Sequence, residues 1–298
     1  MPRPLVATSA ALLLAAATLA GAGPAMASNH QSEAKQPVAA SQRAEAKKTS
    51  TPQVKAVSFA GTVALSNCSG SIVRMPNSAD TDPAFVMSNG HCLETGMPDP
   101  GEVIVDQPST RSFTVLNSAG SSLGTVRASK IAYATMTDTD VSLYQLSSTY
   151  AQIKSRFNID ALSVSPDHPV AGTAIKVVSG YWKKIYSCNA DAFVYELHEG
   201  GWVWKDSLRY TSSCNTIGGT SGSPVVDATT GKVVAINNTG NESGGTCTMN
   251  NPCEVDQSGN VTVRQGINYA QQTYQITKCV ATGNKIDLNL PGCVLPRP

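Results

Sequence analysis

An all-β chain in two similar halves is what this sequence predicts, and three observations carry that expectation. From Val57 onward, short runs rich in β-branched and aromatic residues recur between Gly, Asn and Pro. No apolar pattern of helical period is sustained for more than about three turns. The runs fall into two sets, with a boundary near residues 150–165. Closed barrels and sandwiches both satisfy this pattern.

The elements follow in order. Arg3, the apolar stretch Leu5–Leu19 and the small residues Ala25-Met26-Ala27 read as an export signal over 1–27, with cleavage after Ala27. Gly21, Gly23 and Pro24 cut that stretch short of the roughly 20 apolar residues a spanning helix needs. Residues 28–56 are rich in Ser, Ala, Gln and Lys and hold no aromatic residue. Such a segment buries too little to order itself and reads as a propeptide or a solvated arm, with His30 inert. The first half, 57–155, carries expected strands at Val57–Leu65, Ser71–Met75, Ala84–Ser88, Val103–Val105, Ser112–Leu116, Thr125–Tyr133 and Val141–Leu146. A helical turn from Tyr150 to Phe157 connects it to the second half, 156–298. There the expected strands are Ala174–Ser179, Phe193–Leu197, Trp202–Tyr210, Pro224–Val226, Lys232–Asn237, Val261–Arg264 and Thr273–Cys279, before a tail bearing Cys293.

Composition narrows the function classes. Lys and Arg number 22 against 21 Asp and Glu, so nothing points to nucleic acid or an anionic membrane surface. After the leader come eight cysteines, an even number that in an exported chain reads as disulfides. Sequence order suggests Cys68–Cys92, Cys188–Cys214, Cys247–Cys253 and Cys279–Cys293. There is no Cys-x-x-Cys pair and the histidines are scattered, so no metal and no cofactor are expected.

The stretch Gly218-Gly219-Thr220-Ser221-Gly222-Ser223-Pro224 has the composition of a nucleophile loop. Glycine frees the backbone to turn, and the amides of Gly219 and Ser221 can then face a spot beside the Ser221 hydroxyl. A serine hydroxyl needs an imidazole to take its proton and an acid to orient that imidazole. His91, in Asn89-Gly90-His91-Cys92, follows a β run and is the only histidine of the first half. Asp140 leads directly into an apolar strand, with Asp138 its competitor. The order His, Asp, Ser is one of those known for this triad.

Together these residues resemble the trypsin/chymotrypsin-like serine peptidases, in the bacterial branch that includes glutamyl endopeptidases. The resemblance rests on Cys68-Ser-Gly-Ser-Ile-Val73, Asn89-Gly-His-Cys92, Asp140-Val-Ser-Leu143 and Gly219-Thr-Ser-Gly-Ser-Pro224. A weaker match runs from Leu162-Ser-Val-Ser-Pro166 to Val177-Val-Ser-Gly-Tyr181. It implies two antiparallel six-stranded β-barrels with the site in the cleft between them. It further implies His91 as general base, Asp140 as its orienting acid, Ser221 as nucleophile, the Gly219 and Ser221 amides as oxyanion hole, and support for Cys68–Cys92. The expected protein is a secreted, monomeric serine endopeptidase with no stable membrane association. Its expected partners are a polypeptide substrate and a proteinaceous inhibitor.

Two departures qualify this. Trypsin-type enzymes carry an aspartate before the serine that pairs with a freshly cut N-terminus, and this chain has Thr220 there. Glutamyl endopeptidases place a histidine where Asn237 stands. The specificity walls are expected at Ser213–Thr216 and Val234–Gly240, with Asn215, Asn237 and Asn238 as polar candidates and no acidic residue in either wall. The polar loop Gly240–Cys253 reads as a surface loop, His168 as a turn residue, His198 as a hairpin end, and Trp182, Trp202 and Trp204 as core or rim aromatics. A catalytically silent binding or adhesion protein is the alternative function. An α/β-hydrolase is excluded, because no histidine follows Ser221.

Overall fold

The structure is a computed structural model that describes residues 56–298. The expected leader over 1–27 and nearly all of the 28–56 arm lie outside the described residues.

Eight strands build the first half: β1 (Thr62–Ala64), β2 (Ser69–Arg74), β3 (Pro83–Ser88), β4 (Val103–Pro108), β5 (Ser112–Leu116), β6 (Ser122–Thr135), β7 (Val141–Thr149) and β8 (Leu162–Ser163). Pairing runs β1-β5-β6-β7-β3-β2 and returns to β1, so six strands close into a ring; β4 adds to β6, and β8 lies parallel to β2. Closure leaves those six strands no free edge. Ile72, Val86, Phe113, Val115 and Tyr144 fill the ring, as alternation along each strand requires.

The connector is the helix α1 (Tyr150–Phe157), where the sequence predicts a helical turn. Thr149 caps it: its hydroxyl accepts from the Gln152 amide while the Gln152 side chain accepts from Thr149 N–H. Ile153 and Phe157, four residues apart, share the face that packs on the first core.

The second half holds β9 (Ala174–Ser179), β10 (Lys184–Glu199), β11 (Trp202–Tyr210), β12 (Pro224–Asp227), β13 (Val233–Gly240), β14 (Cys253–Val255), β15 (Val261–Val263) and β16 (Asn268–Gln272). Its path β11-β16-β13-β12-β9-β10 closes through a β10–β11 pairing into a second six-stranded ring, with β14 and β15 extending from β10. The chain is therefore all-β in two closed rings. A small ladder of β17 (Val280–Ala281) and β18 (Lys285–Ile286) ends it.

Three expected strands need correction. Val57–Leu65 shortens to β1, because a turn closed by Thr62 N–H on the Phe59 carbonyl at 2.9 Å precedes it. β10 begins at Lys184, well before Phe193. Its first half buries Tyr186, Cys188 and Ala190 on one face, but alternating them with Ser, Asn and Asp hides the strand from a propensity reading. Thr273–Cys279 is no strand: Tyr274–Cys279 is a 3₁₀ helix, and the strand is β16 just before it. Its two buried residues, Ile276 and Cys279, stand three apart, which suits a 3₁₀ turn and not a pleat.

Between the rings lies a shared apolar layer. Phe85, Met87, Tyr133 and Leu143 from the first half meet Val178, Val226, Val233 and Ile236 from the second, with Ile276, Val280 and Leu295 from the tail. Disulfides join Cys68 to Cys92, Cys188 to Cys214, Cys247 to Cys253 and Cys279 to Cys293. Among the described residues no helix is long and apolar enough to cross a membrane.

Candidate active site

His91 sits in a single 3₁₀ turn (Gly90–Cys92) directly after β3, anchored by the Cys68–Cys92 disulfide. Asp140 stands immediately before β7, the strand paired with β3, so sheet register brings acid and imidazole together. The Asp140 carboxylate is fully buried; His91 Nδ1 lies 2.7 Å from its Oδ2, and the His91 main-chain N–H donates to its Oδ1 at 3.1 Å. Asp138, the competitor, is exposed and pairs instead with Lys205 at 3.0 Å.

Burial acts most strongly on the His91 imidazole and pulls its pKa down. The charge and hydrogen bond of Asp140, with a further push from Glu199, overcome this and leave the imidazole above the ordinary histidine value.

Ser221 arrives on two consecutive tight turns. Thr220 N–H donates to the Ile217 carbonyl at 3.0 Å and Ser223 N–H to the Thr220 carbonyl at 3.1 Å. Each turn carries a glycine at its third position, Gly219 at φ +85° and Gly222 at φ +77°, a left-handed conformation that type II turns demand there. Gly222 has no alternative, because a Cβ would lie 2.1 Å from the Ser69 carbonyl and 2.2 Å from Ser88 Oγ. Among the described residues, neither Gly219 N–H nor Ser221 N–H has an acceptor.

One side chain ties the three segments together. Asn89 is fully buried; its Nδ2 donates to the Asp140 carbonyl at 2.9 Å, and its Oδ1 accepts from Gly222 N–H. Its carbonyl accepts from Ser142 Oγ at 2.8 Å. In the sequence Asn89 stands out only as part of the histidine motif. Ser69 adds a second tie, its N–H donating to the Ser221 carbonyl at 2.8 Å.

His91 and Ser221 line one cleft, but no hydrogen bond joins them. Ser221 Oγ donates to the Asn238 carbonyl at 3.2 Å. Thr220, before the serine, is buried; its hydroxyl donates to the Ile217 carbonyl and accepts from Asn237 Nδ2.

The cleft walls come from Thr216–Gly218, Asn237–Gly240 and Asn268. Asn237 and Asn238 are both there, whereas Asn215 is exposed and does not line the cleft. Asn238 is buried with neither side-chain polar atom partnered. Residues from outside the expected walls complete the lining: Met136, Trp202 and Trp204 on one side, and Glu242, Met249 and Asn250 from the 240–253 loop on another. That loop is thus a rim of the cleft.

Glu199 is the residue the sequence reading missed. It ends β10 at the two-residue turn Gly200-Gly201, which carries it to the cleft. It is 3% exposed; Oε1 accepts from Asn250 N–H at 2.8 Å, and the Thr239 side chain also hydrogen-bonds the carboxyl. Burial pushes its carboxyl above the ordinary range, and hydrogen bonds and the His91 charge bring it part of the way back. A buried carboxylate therefore serves the cleft although neither wall segment contains an acid.

The other histidines have structural settings. His198 pairs with Glu196 at 2.9 Å near the hairpin end. His168 Nε2 lies 3.2 Å from Asp206 Oδ2, against Phe193 and Tyr274.

Among solved structures, the chain is similar to the MamO protease domain from Magnetospirillum magneticum, with 14% identity, 75% of this chain and 97% of that chain covered, and a TM-score of 0.45. It is similar to the serine endoprotease from Yersinia pestis, with 14% identity, coverage of 74% and 62%, and a TM-score of 0.42. A third is the HtrA-type protease AlgW with decapeptide, with 14% identity, coverage of 70% and 50%, and a TM-score of 0.43. The chain thus spans less than two thirds of the Yersinia and AlgW chains. No curated protein matches it. The family described as "Trypsin-like peptidase domain" matches residues 68–236, more than half of the 298 residues and a stretch that contains His91, Asp140 and Ser221. The chain belongs to that trypsin-like peptidase family.

Proposed function

We propose that the protein is a secreted serine endopeptidase, with Ser221 as nucleophile, His91 as general base and Asp140 as the acid that orients it. The observation that carries this reading is the buried Asp140 carboxylate held twice by His91, whose ring lines a cleft together with Ser221, while the Gly219 and Ser221 amides have no acceptor among the described residues. Rotation about the Ser221 Cα–Cβ bond turns Oγ from the Asn238 carbonyl toward His91 Nε2. Oγ then attacks the substrate carbonyl while Nε2 takes its proton. The negative oxygen that forms accepts from the Gly219 and Ser221 amides. His91 returns the proton to the departing amine, leaving an acyl group on Ser221. Water, deprotonated by the same imidazole, releases the acid.

Among the described residues, Glu199 and Glu242 line the cleft and no Lys or Arg does. An acidic substrate side chain meets like charge there, whereas a cationic one gains a partner. Membership of the glutamyl endopeptidase branch is therefore proposed on its motifs alone, and preference for acidic residues is not carried over with it. The leader at 1–27 supports export, and 28–56 is proposed as a cleaved propeptide ahead of a monomeric enzyme. A catalytically silent binding protein is the second reading, favoured only by the Ser221–Asn238 hydrogen bond.

Labelling with a fluorophosphonate probe decides between them. The mature wild type is expected to label, and Ser221→Ala and His91→Ala to stay blank. No labelling of the wild type, or labelling that survives Ser221→Ala, overturns the assignment.

A further inference from the structure

We propose that Trp182 is a positioning residue that locks the oxyanion-hole peptide in its productive orientation. The inference rests on the peptidase reading above for its catalytic consequence, but not for its geometry.

The Ile217–Thr220 turn can exist in two forms that differ by rotation of its central peptide, between Gly218 and Gly219. In type II, Gly219 has a positive φ. In type I it has a negative one, and the peptide's C=O and N–H exchange sides. A planar trans peptide points these two groups in opposite directions, so fixing one fixes the other. With glycine at both central positions, the sequence itself barely favours either form.

The structure supplies what the sequence does not. The indole N–H of Trp182 donates to the Gly218 carbonyl at 2.8 Å. That carbonyl is therefore held toward the indole, and the Gly219 N–H is directed to the opposite side, with no acceptor among the described residues. Gly219 stands at φ +85°, the type II form. A Cβ on Gly219 would lie 3.0 Å from the indole nitrogen and 3.2 Å from the Tyr181 ring, so the same side chains pack against the turn.

Trp182 is itself placed by the first ring. It lies in the β9–β10 turn, where Tyr181 N–H donates to Ser69 Oγ at 3.0 Å and Trp182 N–H to Ser179 Oγ at 3.2 Å. Ser69 Oγ and Ser179 Oγ are 3.0 Å apart, and Ser69 N–H holds the Ser221 carbonyl. One serine thus references both the nucleophile and the turn that carries the lock. Trp182 is about half exposed and is not a member of the buried core clusters.

Trp182→Phe keeps a ring beside Gly219 and removes the donor. Kinetics on one peptide substrate are expected to show kcat lower by about three- to thirtyfold with KM nearly unchanged, short of the ~10²–10³-fold cost of deleting an oxyanion donor outright. Trp182→His, which restores a ring N–H, is expected to recover part of the loss. Crystal structures of the wild type and Trp182→Phe read the same proposal without catalysis: the variant is expected to populate the reversed Gly218–Gly219 peptide with negative φ at Gly219. Retention of the wild-type turn in Trp182→Phe overturns the lock, as does a kcat within about twofold of wild type. Absence of all Ser221-dependent turnover in the wild type would instead remove the peptidase reading and leave the lock to be decided by the turn geometry.

Discussion

His91 grips both oxygens of the Asp140 carboxylate, one through its ring nitrogen and one through its own main-chain N–H. An amide in place of the carboxylate can accept only one of these bonds and must present a donor to the other. Asp140→Asn is therefore expected to lower kcat by a factor approaching ~10⁴. Asp138→Asn breaks only an exposed ion pair with Lys205 and is expected to leave turnover within about twofold of wild type. Parallel kcat measurements on the two variants check this.

The pH profile follows from the His91 environment. A general base works deprotonated, so an imidazole raised above its ordinary value places the acid limb of kcat/KM at higher pH than a free histidine would. Glu199 contributes to that rise through its charge. Glu199→Gln is expected to move the limb to lower pH, and a limb that stays or moves upward contradicts the assignment. The same variant is expected to weaken any preference for Lys or Arg in a digested peptide library, since it removes the buried carboxylate from the cleft.

Asn89 links loops from both rings through one amide. Removing it takes the Asn89 donor from the buried Asp140 carbonyl, at a cost of about 1–3 kcal/mol, and leaves Gly222 N–H with the Asn237 carbonyl alone. Asn89→Ala is expected to lower the melting temperature and to reduce kcat more than it raises KM, because Asp140 and Gly222 lose their common reference. Thermal unfolding and steady-state kinetics on the same preparation test both effects.

Thr220 occupies the position where a charged residue would need a new N-terminus, and its hydroxyl is already engaged by Asn237 and the Ile217 carbonyl. Trimming residues 28–55 is accordingly expected to change turnover by less than about tenfold, the scale of one or two neutral hydrogen bonds. Comparing uncut and trimmed protein on one substrate tests this; a hundredfold difference contradicts it.

The legible parts of this molecule are those whose signal is local. An acid at the head of an apolar strand, a histidine after a β run and a serine among glycines are each visible within a few residues, and the fold brings the first two into contact and places the third in the same cleft. Asn89 was less visible in its role because its partners stand 51 and 133 residues away. Glu199 is hidden for the same reason: it stands far from Ser221 in sequence, and only the turn between β10 and β11 carries it to the cleft. Thr273–Cys279 was misread because Tyr, Ile and Thr favour strands in isolation, and only the tail, with its 279–293 disulfide, gives the three-residue burial spacing a reason.

The tail does more than finish the second half. Ile276, Val280 and Leu295 pack into the layer between the rings, Tyr133 OH donates to the Pro296 carbonyl, and Asn284 reaches Tyr150 OH and the Pro83 carbonyl. A strap that belongs by sequence to one ring and by contact to the other penalises separate melting, so the two halves should unfold in one cooperative step. For a peptidase this bears on self-preservation. Partly opened molecules are the ones their neighbours can digest, and a chain whose last residues clasp its first ring keeps that population small.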